Sequence, residues 1–327
     1  MSEAIVLGDI NVDVLMPIST YPRPGGDALS GQMTTQAGGS AANTAIALAK
    51  LGVAASMVGR LGEDVWGSLA LRALTDSGVE VSAVQHDEAA STGLFFIPIT
   101  PDGERTMFGH RGANVNTEPS AINPTIFKGA RFLHLSGYAL LEPPQREAAL
   151  QAIELAGQHG LALSLDTGLL PALARTDEIG QLLPRLSICV LGVEEARALA
   201  VGDSPADLAR ALVARGVKLV GLKLGAEGCL LADSSGLFNV PSFSVKAVDT
   251  TGAGDAFSAG LIYGQLRGLS LPAAGTLANT LGSLAAATWG AGPALPGREA
   301  VRKRLAAEAA TAEDERTRWI EEVLAKV

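Results

Sequence analysis

With 327 residues the chain is long enough for one large domain or two ordinary ones, and a hydrophobic content of 47% can fill a large core. A formal charge of −9 argues against a nucleic-acid-binding surface but leaves room for a local basic pocket. Cys189 and Cys229 lie far apart in apolar runs and read as buried thiols of a reducing compartment, and the four histidines show no metal-ligand spacing.

In chain order, Ala4–Leu7 reads as a strand rather than part of a signal segment, so a soluble cytoplasmic protein without a membrane anchor is expected. Residues 42–51 carry helical spacing and end at Gly52. Residues 54–58 are strand-like and 65–77 helical. Runs of strand length follow at 131–135, 161–165, 187–191 and 219–224, most of them separated by helical patterns. Pro143-Pro144 fits the start of one helix, and Ser204-Pro205 caps another. Segments 229–232 and 237–240 flank Asp233-Ser-Ser-Gly236, a hairpin signature. The alternation predicts a layered α/β domain with a mostly parallel sheet. Residues 271–291 are rich in Ala, Gly and Thr and read as buried helix, not a membrane span. The tail from 297 to 327 reads as helical, with Trp319, Ile320, Val323 and Leu324 as its packing stripe.

Two segments break the alternation. Residues 14–36 are punctuated by Pro and Gly, and residues 91–110 read as a hairpin turning at Asp102-Gly103. Together they form either a small second sheet or two long loops, and unstructured loops of that length are uncommon in compact domains.

The densest chemistry lies at Asp249-Thr-Thr-Gly-Ala-Gly-Asp-Ala-Phe257, which opens an apparent helix over 254–267. Glycines at a helix start let a ligand approach the main chain, and the free N–H groups there bind anions. Asp255 falls in the first turn, beside that anion site. It serves either as its own helix cap or as a base that takes a hydroxyl proton while the amides hold a phosphoryl group. A Walker A loop is excluded because no Lys-Ser or Lys-Thr follows the glycines, and a dinucleotide fingerprint because Phe257 stands where a third glycine belongs.

This nonapeptide resembles the C-terminal signature of the PfkB (ribokinase-like) carbohydrate kinases. Ala37-Gly-Gly-Ser-Ala-Ala-Asn43 and Gly8-Asp-Ile-Asn-Val-Asp13 resemble two further family motifs, in the family's order and spacing, and the likeness covers about residues 4 to 297. It implies an α/β/α layered fold with a small β lid over a sugar site. The main domain takes 1–13, 38–90 and 112–297, the lid 14–37 and 91–111, and a helical extension 298–327.

The implied activity is ATP- and Mg2+-dependent phosphorylation of an alcohol group on a small sugar or sugar derivative. A nucleoside kinase, or a catalytically silent sugar-binding protein on the same fold, is the alternative. By the resemblance Asp255 is the base, and the amides of Ala253, Gly254 and Asp255 form the anion hole, with Gly252 shaping the turn. Asp13, Asn11, Gly38, Gly39 and Asn43 meet the sugar. Arg111 would suit an acidic substrate, and Arg105 is an alternative. Lys223, Gly225, Gly228 and Asn279 resemble the nucleotide element. Glu195 would hold Mg2+ through water, although Gly192 stands where the family has Asn; Asp166 is a second metal candidate. Asp249 and Thr251 match positions that help bind an optional K+. Ser40 replaces a Lys of the ribokinase branch. A homodimer through the lid belongs to the same expectation.

Overall fold

The structure, a computed structural model, describes residues 2–101, 105–310 and 314–327, so the expected turn at Asp102-Gly103 lies outside the described residues. Its spine is a nine-stranded sheet. From one edge the strands are Gly236–Pro241, Gly228–Asp233, Val220–Lys223, Ile188–Gly192, Ala162–Asp166, Phe132–Ser136, Ala4–Leu7, Ala55–Gly62 and Val84–Asp87. All neighbours pair in parallel except at the first edge, where Gly228–Asp233 runs antiparallel both to Gly236–Pro241 and to Val220–Lys223. Successive side chains in a strand point to opposite faces, and both faces here are covered, so the central strands read as continuous apolar runs. Ala4 and Val6 pack into one core layer with helices Ser40–Lys50, Ala253–Arg267 and Leu271–Ala286. Ile5 and Leu7 pack into the other with Gln145–Gln158, Val193–Leu199 and Pro205–Ala214. Ser204 caps the last of these helices as expected, accepting from Asp207 N at 3.2 Å. The result is the layered α/β/α domain that the alternation predicts.

The two irregular excursions form a second sheet, in the order Thr34–Gly38, Asn11–Pro17, Gly93–Ile99, Phe108–His110. One boundary differs from expectation. The first strand ends at Leu7, and the lid strand already begins at Asn11, so Asp13 lies within the lid opposite Gln36 and Phe95. The cause is a pinned crossover at residues 8–10, where Ile10 N donates to the buried side chain of Asn114 at 2.7 Å. The edge strand Val84–Asp87 was not anticipated, because Gln85 and His86 interrupt its apolar pattern.

The tail forms helices Arg298–Ala309 and Asp314–Leu324. Ile320 and Val323 are fully buried in the same core layer as Leu271–Ala286, as the stripe predicts. No helix among the described residues is long and apolar enough to cross a membrane.

Candidate active site

The helix Ala253–Arg267 starts after Gly252, whose φ of 76° and ψ of −3° place it in the left-handed region. A Cβ there would be strained and would also meet Ala291 Cβ at 3.0 Å, so glycine is required. Ala253 N turns onto Thr250 O at 3.3 Å. Among the described residues, the N–H groups of Gly254 and Asp255 have no protein acceptor. These two free amides lie at the positive end of a fifteen-residue helix, where an anion can bind.

Two cavities meet at this helix start. The first, about 330 Å3, lies between the main sheet and the lid and is lined by Asp13, Gly39, Asn43, Arg105 and Asp255, among others. The second, about 520 Å3, lies beyond the loop and is lined by Gly225, Gly228, Phe243 and Asn279, among others. Lys223, Thr250 and Gly254 line both.

Asp255 is gripped from the glycine motif. Ser40 Oγ donates to its Oδ1 at 2.8 Å and Asn43 Nδ2 to its Oδ2 at 2.7 Å. Burial pushes its pKa to about 6 and the negative charge of Asp166 adds to the rise, while the Asn43 and Ser40 hydrogen bonds and Lys223 pull back. Asp13 is raised to about 7, first by burial and then by the carboxylates of Asp255 and Asp249, against Arg105. Both groups therefore sit near the pH at which a carboxylate can exchange protons usefully.

Lys223 Nζ lies 3.1 and 3.3 Å from the two oxygens of Asp166, whose Oδ2 also accepts from Ser258 Oγ at 2.8 Å. Burial lowers the lysine pKa, but Asp166 and Glu195 outweigh it and the pKa is raised. A permanent cation thus stands where the two cavities join.

Glu195 lines the first cavity. Its Oε2 accepts from Gly192 N at 2.9 Å and Thr167 Oγ1 at 2.7 Å. Gly192 has an ordinary extended backbone, with φ −87° and ψ 174°, so its glycine answers no local strain. Among the described residues no three acidic, His or Cys side chains converge on one point. Carboxylate oxygens held this way fit Mg2+, an ion that keeps its waters and takes few protein ligands.

Several expected sugar contacts are placed differently. Asp13, Asn11, Gly39 and Asn43 all line the first cavity. Gly39, at φ 97°, lies so close to the chain that a Cβ would meet Asp9 O at 2.5 Å. Gly38 sits beneath the Asp13 carboxylate and does not line the cavity. Asn43 uses both ends of its amide, donating to Asp255 and accepting from Gly292 N at 3.0 Å, so it holds Asp255 as well as facing the cavity. Arg111 is spent elsewhere. It grips Asp9 at 2.9 and 3.0 Å, reaches Glu142 at 3.2 Å, and is absent from the cavity lining. The guanidinium that does face the cavity is Arg105, which donates to Thr251 Oγ1 at 2.8 Å and lies 3.7 Å from Asp249 Oδ1.

That contact bears on K+. Asp249 Oδ1 accepts from Thr251 N and Oγ1 at 2.9 and 2.6 Å, and Oδ2 from Gly290 N at 3.0 Å. A guanidinium charge thus already stands beside the Asp249–Thr251 pair. Asp9 and Ser40 were missed as site residues. Asp9 lies inside the Gly8–Asp13 motif, but only the fold shows that it pairs with a residue 102 positions away.

A family model described as "pfkB family carbohydrate kinase" matches residues 1–298. The chain belongs to the PfkB carbohydrate kinases. This kinase is 35% identical over 284 residues to "Fructokinase-1" of Oryza sativa subsp. japonica, covering 82% of this chain and 88% of that one. It is 31% identical to the "ATP-dependent ribose-1-phosphate kinase" of Halopiger xanaduensis, covering 95% of this chain and 98% of the relative. Its fold matches "Arabidopsis thaliana Ribokinase complexed with Ribose and ATP" with a TM-score of 0.80 at 27% identity, over 92% of this chain and 98% of that one.

Proposed function

We propose that the kinase transfers the γ-phosphoryl group of ATP to an alcohol group of a small sugar held in the first cavity, with Asp255 as general base. One observation carries this reading: the two cavities meet at a helix N-terminus, with the only first-turn carboxylate on the lid side. A polyol between lid and sheet finds Asp13 and Asn11 as hydrogen-bond partners and Gly39 as a close main-chain floor. ATP in the second cavity brings its terminal phosphate to the Gly254 and Asp255 amides and to Lys223. Glu195 would hold Mg2+ through water, and the bound ion would supply neutralisation of phosphate charge. Asp255 accepts the hydroxyl proton as the acceptor oxygen attacks, and the amides and Lys223 carry the charge gathered on the equatorial oxygens.

The fructokinase likeness favours a neutral ketose as acceptor. A second reading is supported by Arg105, whose side chain is 31% exposed and lines the acceptor cavity: a sugar phosphate, in keeping with the ribose-1-phosphate kinase match. ADP release across fructose, ribose, ribose 1-phosphate and nucleosides decides between them. Turnover with none of these, in wild-type protein that binds ATP, would remove the sugar-kinase reading.

The pH profile follows from the two raised carboxylates. Below pH 6 Asp255 is protonated and cannot act as base, and below about 7 Asp13 no longer accepts fully. We expect kcat/KM for the acceptor to fall with acidification through this window. A flat profile from pH 5 to 8 would contradict both assignments. We also expect initial rates to be unchanged when K+ is replaced by tetramethylammonium, because Arg105 already supplies a cation at Asp249. Strong activation by K+ would show that the lid arginine leaves that site.

The same reading includes a homodimer through the lid. Phe95 and Ile97 face the cavity, so Phe96 and its cross-strand partner Phe108 lie on the opposite face, where they are exposed. Sedimentation at the mass of one chain at micromolar concentration would remove it.

A further inference from the structure

The segment 242–248 joins the strand Gly236–Pro241 to Asp249, and it has neither helix nor strand of its own. Ser242, Phe243 and Ser244 form one wall of the second cavity. What holds this wall comes largely from outside the matched span, which ends at residue 298. Arg316 Nη2 donates to Ser242 O at 3.0 Å and to Pro241 O at 3.3 Å. Arg304 Nη2 donates to Ser244 O at 3.1 Å and is held in turn by Glu308 at 2.7 Å. Both guanidiniums also approach the Phe243 ring, with Cζ 4.2 Å from its centroid for Arg316 and 5.5 Å for Arg304. Phe243 is only 4% exposed.

We propose that Arg304 and Arg316 of the C-terminal extension are positioning residues for nucleotide binding, and that they hold the 241–244 wall through its carbonyls and the Phe243 ring. The apolar packing of the tail does not need them, because Ile320 and Val323 already bury the last helix. The two arginines from separate tail helices converge instead on consecutive residues of an irregular segment. Charge-assisted donors fix carbonyl directions more firmly than neutral ones, and a guanidinium over an aromatic face fixes the ring plane. Ser242, Phe243 and Ser244 line the second cavity and not the first, so a loosened wall misplaces the nucleotide and not the sugar.

This inference rests on the second cavity being the ATP site. The test is calorimetric titration of wild type and of the Arg304→Ala/Arg316→Ala protein with Mg·ATP, alongside KM values for ATP and for the acceptor. We expect ATP binding to weaken about tenfold, the loss of roughly one charge-assisted hydrogen bond. The acceptor KM and the kcat at saturating ATP should stay within about twofold, because the fixed chemistry next to Asp255 is untouched. Lysines at both positions should recover part of the loss, since an ammonium keeps the charge over the ring but not the fork. Unchanged ATP affinity in the folded double variant overturns the proposal, as does an equal rise in both KM values. Should the double variant not fold, Arg316→Lys alone decides: a twofold or larger loss of ATP affinity supports the proposal and no change overturns it. Wild-type protein that fails to bind ATP overturns the nucleotide-site reading itself.

Discussion

Asp255→Asn should abolish most turnover while leaving the protein as stable or more so. The expected fall in kcat is roughly 100- to 10,000-fold, the usual worth of a positioned general base. The replacement fits the existing contacts. Its oxygen can accept from Asn43 Nδ2, whose other end is committed to Gly292 N, and its amide can donate to Ser40 Oγ, a hydroxyl that rotates to accept. Acceptor binding should therefore persist. The stability sign follows from the raised pKa of about 6. The unfolded aspartate ionises near pH 4 and the folded one two units later, so the native group's contribution is intact below pH 4 and is lost as pH rises through 6. Asn removes that loss, and the variant's melting temperature should match wild type at pH 4 and equal or exceed it at pH 8. A variant with full turnover would refute Asp255 as the base; one that melts well below wild type at pH 8 would refute the linkage.

Lys223→Met should do the opposite, harming fold and function together. Asp166 is 7% exposed and, among the described residues, keeps only the Ser258 hydroxyl once the ammonium is gone. Removing one member of a buried pair typically costs about 3 kcal/mol, chiefly because the remaining charge is stranded. Adding Asp166→Asn should recover much of that stability but none of the activity, because the cation shared by both cavities stays missing. Thermal melts and ATP kinetics on the two single variants and the double variant separate these effects. If the double variant regains turnover, Lys223 serves only to neutralise Asp166.

The fold, and not the local sequence, assigns the two arginines their partners. Arg105 and Arg111 are both plausible anion receptors in sequence, and the position of Arg111 before Gly112-Ala-Asn114 favoured it. The fold commits Arg111 to Asp9 and Glu142 and delivers Arg105 to the cavity from a lid strand. Asn43 shifts in a similar way, from a sugar contact alone to a hinge between Asp255 and Gly292. Both outcomes depend on partners more than 100 residues away, or on a lid whose registry no local pattern records.

What the sequence determined by itself is local. Apolar runs of strand length alternating with helical spacing required a doubly covered parallel sheet, because only burial on both faces tolerates such strands. The nonapeptide ending at Phe257 required a helix start with free amides, because Gly252 alone accepts the left-handed turn that aims them. What only the tertiary structure decided is pairing at a distance. It moved Asp13 into the lid, set Lys223 between two cavities, placed Ser40 on Asp255, and brought two tail arginines onto Phe243. The physical reason is that charge and hydrogen-bond partners are chosen by where packed elements leave an acceptor, and separation along the chain carries no record of that.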